Sequence, residues 1–209
     1  MKKQVLIIAM GLLSMASFAQ KNELKAIEKS IKKGQIDEAK AAIESLESSE
    51  TLIEPKYKAK YYYLIGSAYG TSNVTKAADA FENLFEYEKQ TGKLKYTKEA
   101  KPKFNQLIQF VSTKAIEDYN AKEFKKATEN FYLTYKLSPT DTSFLYNAAL
   151  SASLSKEFDL SLDYYKELQN INYTGIATSY LALNKETGKE ESFGSKTQRD
   201  LMVKAGQYS

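Results

Sequence analysis

The chain has 209 residues, 43% of them hydrophobic and 27% charged, and a formal net charge of +4 at pH 7. This length suffices to bury a core, and so small a charge gives no reason to expect a nucleic-acid partner. The chain contains no cysteine and no histidine, which excludes disulfides, thiol chemistry and histidine-activated nucleophiles and removes the commonest transition-metal ligand. Three prolines, nine glycines and long runs rich in Ala, Leu, Lys and Glu favour helices over sheets.

Residues 1–19 have the order of a secretory signal peptide. Lys2 and Lys3 give a basic start, residues 5–16 are an almost unbroken apolar run, and Ser17-Phe18-Ala19 places small residues before a cleavage site at Ala19-Gln20. The apolar run is shorter than the roughly 20 residues that span a bilayer; a membrane anchor is the alternative. We therefore expect an exported chain of the periplasm or cell envelope, soluble after cleavage and without membrane insertion.

The first helix hairpin is predicted over residues 22–50. Apolar residues recur at helical spacing up to Lys33, and Gly34 then breaks the pattern. A second helix begins at Ile36, with Ala39 and Ile43 on one face.

The second hairpin is predicted over residues 57–91. Residues 62–69 read Tyr-x2-Ile-Gly-x2-Tyr, and Gly70 to Asn73 predict the turn that follows. Gly66 costs about 1 kcal/mol inside a helix relative to alanine, which is tolerable where a neighbouring helix must pass close. Ala77, Phe81 and Leu84 then mark the buried face of the second helix.

The stretch EYEKQTGKLKYTKEAKPK, residues 86–103, interrupts this pattern. It contains Gly92 and Pro102, is rich in lysine and has few apolar residues. It predicts an elongated helix followed by a solvated loop. A basic lip that meets an acidic partner is the alternative.

Two further hairpins are predicted over residues 104–139 and 142–172. The first pairs a helix from Phe104 to Tyr119 with the segment FKKATENFYLTYKLSP, residues 124–139. In the last hairpin, the second helix begins at Phe158. The residues predicted to form its packed face are Ser161, Tyr165 and Leu168. Small residues thus begin each second helix, at Ala39, Ala77, Ala127 and Ser161.

A different pattern follows Tyr173. Residues 178–183 are rich in β-branched, tyrosine and leucine residues, and a turn ending in Gly188 leads to Glu190–Phe193. This predicts a β-hairpin, with a fifth helix from Gly175 as the alternative. A short last helix is predicted from Thr197 to Ala205, so residues 173–209 form a C-terminal region of their own.

These spacings resemble those of the tetratricopeptide repeat, whose pattern reads W-x2-L-G-x2-Y, then A-x3-F, then P. Residues 62–69 resemble its first half, and Ala127, Phe131 and Pro139 its second half. The resemblance covers about residues 22–172 and implies an all-α, right-handed α-solenoid of about four helix hairpins, followed by the small β-hairpin and short helix. The region from Thr174 resembles a tail of exported bacterial proteins of this family, which implies that further repeats can follow it.

The resemblance implies binding of a peptide or partner protein on a concave surface lined by the first helix of each hairpin. The residues expected to face that surface are Tyr63, Ser67, Ser112, Tyr119, Tyr146, Asn147 and Leu150. Tyrosine suits such a surface, although packing between helices is the alternative for each tyrosine. A subset of the family holds a carboxy-terminal carboxylate with lysines and asparagines. Asn147 fits one such place, but matching inward lysines are not evident, and we do not predict that clamp.

Catalysis is not expected. No glycine-rich phosphate loop is present, and neighbouring carboxylates such as Asp37 and Glu38 diverge on a helix. Ser30 and Lys33 share a face, but small repeats offer no deep pocket to desolvate that lysine. We expect a non-enzymatic scaffold with no cofactor, metal or nucleic acid. The alternative is a structural subunit of a larger envelope assembly that contacts its partners through the C-terminal region.

Overall fold

The computed structural model describes residues 19–48, 53–175, 179–193 and 196–209. Residues 1–18 of the predicted signal peptide lie outside the described residues. The described chain is mostly helical, with one two-stranded antiparallel sheet near its C-terminal end. It divides into two compact units, Met1–Tyr165 and Lys166–Ser209. Within the described ranges, no helix has both the length and the apolar character needed to cross a bilayer.

The first unit is built from helices that pack side by side in chain order. Leu24 and Ile27 of the first helix share one buried core with Ala39 and Ile43 of the second. From the second helix to the seventh, each packs against the next. The helices are α1 (residues 19–32), α2 (Ile36–Ser48), α3 (Pro55–Tyr69), α4 (Val74–Thr91), α5 (Thr97–Asn120), α6 (Phe124–Leu137), α7 (Ser143–Leu154) and α8 (Phe158–Asn170), whose end from Lys166 belongs to the second unit.

Three turns between these helices share one geometry. In the α1–α2, α5–α6 and α7–α8 turns, one residue has a positive φ of 75°, 62° and 66°, respectively. The next residue donates its N–H to a carbonyl five residues back, at 2.9 Å in every case. This is the Schellman ending of a helix. The positive-φ residues are Gly34, Lys122 and Lys156, each five places before a predicted small residue of the second helix.

Helices α3 and α4 meet at a glycine. A Cβ atom on Gly66 would lie only 2.5 Å from Cε1 of Phe81, so no larger residue fits there without displacement. The predicted close approach of the neighbouring helix is confirmed. The Phe81 ring is fully buried and also meets Phe104 of α5 edge-on, with ring centroids 6.4 Å apart.

The start of α5 differs from the prediction. The elongated α4 is confirmed, but the loop covers only residues 92–96, and α5 begins at Thr97 rather than Phe104. Pro102 lies inside α5, where it removes a single intrahelical hydrogen bond close to the helix start. The carboxylate of buried Glu88 accepts the N–H groups of Lys95, Tyr96 and Thr97 at 2.8–3.0 Å. These bonds fix the loop and begin α5 earlier than the sequence indicates.

The packed face of α8 also differs from the prediction. Ser161 and Leu168 are buried as expected, but Tyr165 is exposed and the adjacent Tyr164 is buried instead. Tyr164 stacks on Tyr132 of α6, with ring centroids 4.5 Å apart and planes 21° apart. The prediction for Tyr165 is wrong because the next inward position falls three residues, not four, after Ser161.

The second unit contains the small sheet. Strands β1 (Tyr180–Leu183) and β2 (Glu190–Phe193) pair antiparallel, and helix α9 (Lys196–Lys204) follows. Ser209 exchanges two backbone hydrogen bonds with Leu183. Tyr208 is buried, with its ring edge-on to Phe193 and its hydroxyl donating to Glu191 at 2.7 Å. The predicted β-hairpin is confirmed, and the alternative of a fifth helix is wrong.

Candidate functional site

Three adjoining clefts of about 320, 210 and 440 Å³ run along α1, α3 and α5 in the first unit. The first and second clefts share Ser67 and Lys103, and the second and third share Thr71 and Gln106. We call this continuous surface the first-helix groove, because the first helix of each of three successive hairpins lines it. It is the candidate site.

A carboxylate ties α1 to α3 at one end of the groove. Glu28 accepts hydrogen bonds from Lys32 of its own helix at 2.6 Å and from Lys60 of α3 at 2.5 Å. The bond from Lys32, followed by that from Lys60, outweighs the opposing effect of burial and lowers the pKa of Glu28 to about 2. Glu28 is therefore ionised at neutral pH, and its two lysines are already engaged.

Two tyrosines form a wall of the first cleft. The ring of Tyr63 stacks on that of Tyr96, with centroids 5.2 Å and planes 24° apart. The Tyr63 hydroxyl donates to Glu99 at 3.3 Å. Burial raises the pKa of both tyrosines. The wall is thus a flat apolar surface with a polar edge, which suits contact with a peptide.

Two polar groups at the junction of the first and second clefts are left without partners. Ser67 Oγ is buried and makes no hydrogen bond of good geometry among the described residues, although it lies near enough to Tyr63 to oppose the rise in that group's pKa. In the described part of the chain, half-buried Lys103 forms neither an ion pair nor a hydrogen bond. An unpaired ammonium group in a cleft is available to an incoming acceptor.

One face of α5 supplies the third cleft. Phe110 is exposed between amide and hydroxyl groups that lie one turn away on either side. Five of the residues that α5 presents along the groove are spaced three or four apart, as one helix face requires. They are Glu99, Lys103, Gln106, Phe110 and Thr113. The arrangement offers an apolar anchor point flanked by groups that can hydrogen-bond to a peptide backbone.

Two of the predicted site residues, Tyr63 and Ser67, lie together in the first cleft. Ser112 is half-buried on α5 and donates its hydroxyl to the backbone carbonyl of Gln109 at 3.0 Å. Tyr119 is half-buried, with its ring edge-on to Phe124 and Phe131 of α6 at 5.5 and 6.3 Å. Ser112 and Tyr119 do not line the clefts described above.

The remaining three predicted residues lie on α7. Tyr146 is exposed and meets the ring of Tyr165 edge-on, with centroids 6.4 Å apart. Asn147 and Leu150 are half-buried. None of the three lines the first-helix groove. The structure therefore divides the predicted residues into two that line the groove, two elsewhere on α5 and three on α7.

Sequence reasoning missed most of the α5 contribution. Glu99 and Lys103 precede the predicted helix start at Phe104, so their positions on a helix face were hidden. The spacing of residues 99, 103, 106 and 110 is the signal that would have found them, once Pro102 is allowed inside the helix. Lys60 was identifiable from the sequence, because it lies one turn before Tyr63 on the same face of α3.

The described residues contain no group of three or more acidic side chains placed to hold a metal ion. Ser30 and Lys33 do not line the clefts described above. No protein-family model matches the chain, and no curated protein matches it.

Proposed function

We propose that this chain is a non-enzymatic binding scaffold of the bacterial cell envelope, exported by its signal peptide, that holds an extended peptide segment of a partner protein in the first-helix groove. In this proposal the first unit is a right-handed solenoid of the tetratricopeptide type. The single observation that carries it is the continuity of three clefts along the first helices of successive hairpins.

Two packing features support the repeat assignment. The same left-handed turn closes three of the first helices, as expected of repeated units of one design. Gly66 lets Phe81 approach α3 at the position where the repeat pattern has its glycine. The turns recur five residues before the predicted small residues, and Gly66 occupies the glycine position of the pattern that indicated the family.

The chemistry of the groove favours a peptide over a compact small molecule. The three clefts adjoin end to end and form one extended surface, whereas a small-molecule site is a single concavity. Lys103 and the amides of Gln106 and Gln109 can pair with backbone or side-chain acceptors, while Tyr63 and Phe110 offer apolar contact. An extended segment lying along α5 meets these groups in turn.

The second candidate function, a structural subunit of an envelope assembly, is favoured by the second unit. Leu181 and Leu183 point to the same face of β1 and are both exposed, as is Leu201 of α9. Exposed apolar side chains on a small sheet are a typical contact surface. In this alternative, the second unit rather than the groove meets the partner.

The test is site-specific photo-crosslinking in the native envelope. A photoreactive phenylalanine analogue at position 110 is expected to crosslink one abundant partner, whereas the same analogue at exposed position 136 of α6 gives background. Replacing Lys103 by methionine keeps the side-chain stem but removes the charge, and should lower the crosslink yield at position 110 about five- to tenfold. Lys101→Met, an exposed lysine of the same helix, is the matched control.

Two outcomes contradict the groove proposal. Equal crosslink yields from positions 110 and 136 would mean that no partner binds specifically in the groove. Crosslinks from position 181 but not from position 110 favour the assembly subunit instead. Far-UV circular dichroism of each variant establishes that the helices are retained.

A further inference from the structure

Another cleft of the first unit, of about 520 Å³, is lined by the start of α3, the end of α4 and the loop between α4 and α5. Its volume is within the range of about 300–1,000 Å³ that ligand pockets have. All the residues that line it belong to the first unit. It shares Tyr96 with the first cleft of the first-helix groove, but Lys103 of the groove does not line it. We call it the loop cleft, because the exposed loop residues Lys93 and Lys95 contribute to its lining.

Part of the lining is apolar and fixed in position. The apolar groups come from Pro55, Ala59 and the half-buried rings of Tyr87 and Tyr96. The Tyr87 hydroxyl donates to the backbone carbonyl of Pro55 at 2.5 Å. The ring of Tyr96 stacks on that of Tyr63, with centroids 5.2 Å apart. Flat walls that are already held in place suit an apolar side chain, which leaves water on entering.

Two exposed lysines of the lining supply positive charge. The ammonium group of Lys93 forms neither an ion pair nor a hydrogen bond among the described residues. The ammonium group of Lys95 lies 5.4 Å from the centroid of the Tyr96 ring and has no carboxylate partner in the described part of the chain. A third lysine of the lining, Lys56, is already paired with Glu54 at 2.9 Å. Lys93 and Lys95 are therefore the groups that attract a carboxylate of a ligand.

A carboxylate of the lining determines how an acidic ligand is oriented. Glu88 accepts the backbone N–H groups of Lys95, Tyr96 and Thr97 and the hydroxyl of Thr97. Four donors and no acceptor around it are the pattern of an ionised carboxylate. A second carboxylate close to Glu88 would be repelled. An acidic ligand therefore keeps its carboxylates at the lysines and places an uncharged, apolar group in the cleft.

The basic surface continues beyond the loop cleft, which favours a peptide over a small molecule. Residues 89–103 carry one carboxylate, Glu99, and six lysines: Lys89, Lys93, Lys95, Lys98, Lys101 and Lys103. Leu94, which is 68% exposed, stands between two of these lysines in the sequence and does not line the cleft. An extended segment can contact Leu94 and the neighbouring lysines, whereas a small molecule confined to the cleft cannot.

We propose that the loop cleft binds an acidic segment of a partner protein. The segment inserts one apolar side chain against Tyr87 and Tyr96, and carboxylates beside that side chain pair with Lys93 and Lys95. This site goes beyond the peptide groove of the proposed function and does not rest on occupation of that groove.

The test uses the chain from residue 20 to 209 and a fluorescein-labelled synthetic peptide of about 10 residues, with a central phenylalanine flanked on each side by two glutamates. Fluorescence anisotropy at low salt should show saturable binding with a Kd below about 100 μM. Replacing the glutamates of the peptide by glutamine, or its phenylalanine by serine, should weaken binding at least about fivefold.

Two double variants with the same loss of charge locate the site. Lys93→Met combined with Lys95→Met should weaken binding at least about tenfold, because the carboxylates of the peptide lose both ammonium groups. Lys98→Met combined with Lys101→Met removes two exposed lysines that do not line the cleft and should change Kd by less than about threefold. Lys103→Met, in the first-helix groove, should also leave the affinity within about threefold. Far-UV circular dichroism establishes that each variant keeps its helices.

Each of the following outcomes overturns the proposal. Absence of saturable binding at about 100 μM peptide means that the cleft does not take this class of ligand. Equal losses in the two double variants mean that the peptide is attracted to the lysine-rich stretch as a whole. Equal affinity for the serine peptide means that no apolar side chain enters the cleft. A loss in Lys103→Met alone places the peptide in the groove, and N-acetylphenylalanine that competes as strongly as the peptide assigns the cleft to a small acidic molecule.

Discussion

Lysine occupies a left-handed backbone conformation in two turns where the α1–α2 turn has glycine. Lys122 and Lys156 have φ values of 62° and 66°, a region that costs an L-residue roughly 1–2 kcal/mol. The backbone hydrogen bonds of the Schellman ending hold both residues there. Sequence reasoning found the turn at Gly34 from its glycine, but the two lysine turns carry no such signal and were located only by the spacing of the helices around them.

Lys122→Gly is expected to stabilise the protein by about 0.5–1 kcal/mol. Glycine removes the steric cost of the left-handed region, and this gain exceeds the greater backbone entropy of glycine in the unfolded chain. Urea unfolding followed by circular dichroism measures the difference. Lys114→Gly, at an exposed position inside α5, is the control and should destabilise by about 1 kcal/mol. If both Lys122→Gly and Lys114→Gly lower the free energy of unfolding, the substitution at Lys122 does not relieve backbone strain.

At the scale of the element, one buried carboxylate determines where α5 begins. Besides three backbone N–H groups, Glu88 accepts the hydroxyl of Thr97 at 2.8 Å. Burial raises the pKa of Glu88, but the hydrogen bonds from Tyr96, Thr97 and Lys95 together outweigh it and hold the pKa below its usual value. Helical spacing places Glu88 on the buried face of α4, four residues after Leu84, and Glu86 off that face. The spacing does not reveal the partners of Glu88, because they lie in a loop.

Replacing Glu88 by glutamine should lower the free energy of unfolding by about 1–3 kcal/mol, since an amide cannot satisfy the same donors as a carboxylate. Chemical denaturation at pH 7 measures the loss, and Glu86→Gln should change stability by less than about 0.5 kcal/mol. Hydrogen exchange should additionally show faster exchange of the amides of Lys95 to Thr97 in the Glu88 variant. Unchanged exchange there would mean that the loop does not depend on this carboxylate.

For the molecule as a whole, the sequence predicted the elements better than their contacts. All eight predicted helices of the hairpins and the C-terminal strands occur, because hydrophobic spacing and glycine turns are local signals. The choice between Tyr164 and Tyr165 was not available locally: both are tyrosines, and the stacking of Tyr164 on Tyr132 decides which one is buried. Tyr63 and Ser67 were predicted to face one surface because they lie one turn apart on α3. Lys103 was not predicted there because it precedes the expected start of α5 at Phe104.

The dependence of stability on pH should reveal the ion pair that joins α1 to α3. The pKa of Glu28 is lowered from 4.5 to about 2 by folding. Its contribution is therefore fully present above about pH 4.5 and is lost as the pH falls towards 2. The difference in melting temperature between the wild type and Glu28→Gln should accordingly be largest near neutral pH and shrink below pH 4.5.

Glu23→Gln, an exposed substitution on the same helix, is the control for this experiment, with a small difference at every pH. Scanning calorimetry at several pH values supplies the melting temperatures. If the difference in melting temperature between the wild type and Glu28→Gln did not change with pH, the carboxylate would not form an ion pair in the folded protein.

The contact between Gly66 and Phe81 constrains how this sequence can change over time. The buried ring of Phe81 packs against α3, its neighbour Phe85 and Phe104 of α5, so it cannot move away from Gly66 without disturbing these contacts. A methyl group at position 66 therefore displaces packing in three helices at once. The order of substitutions matters as a result: position 66 can accept a larger residue only after position 81 has become smaller. The two positions are expected to evolve as a pair, in that sequence of steps.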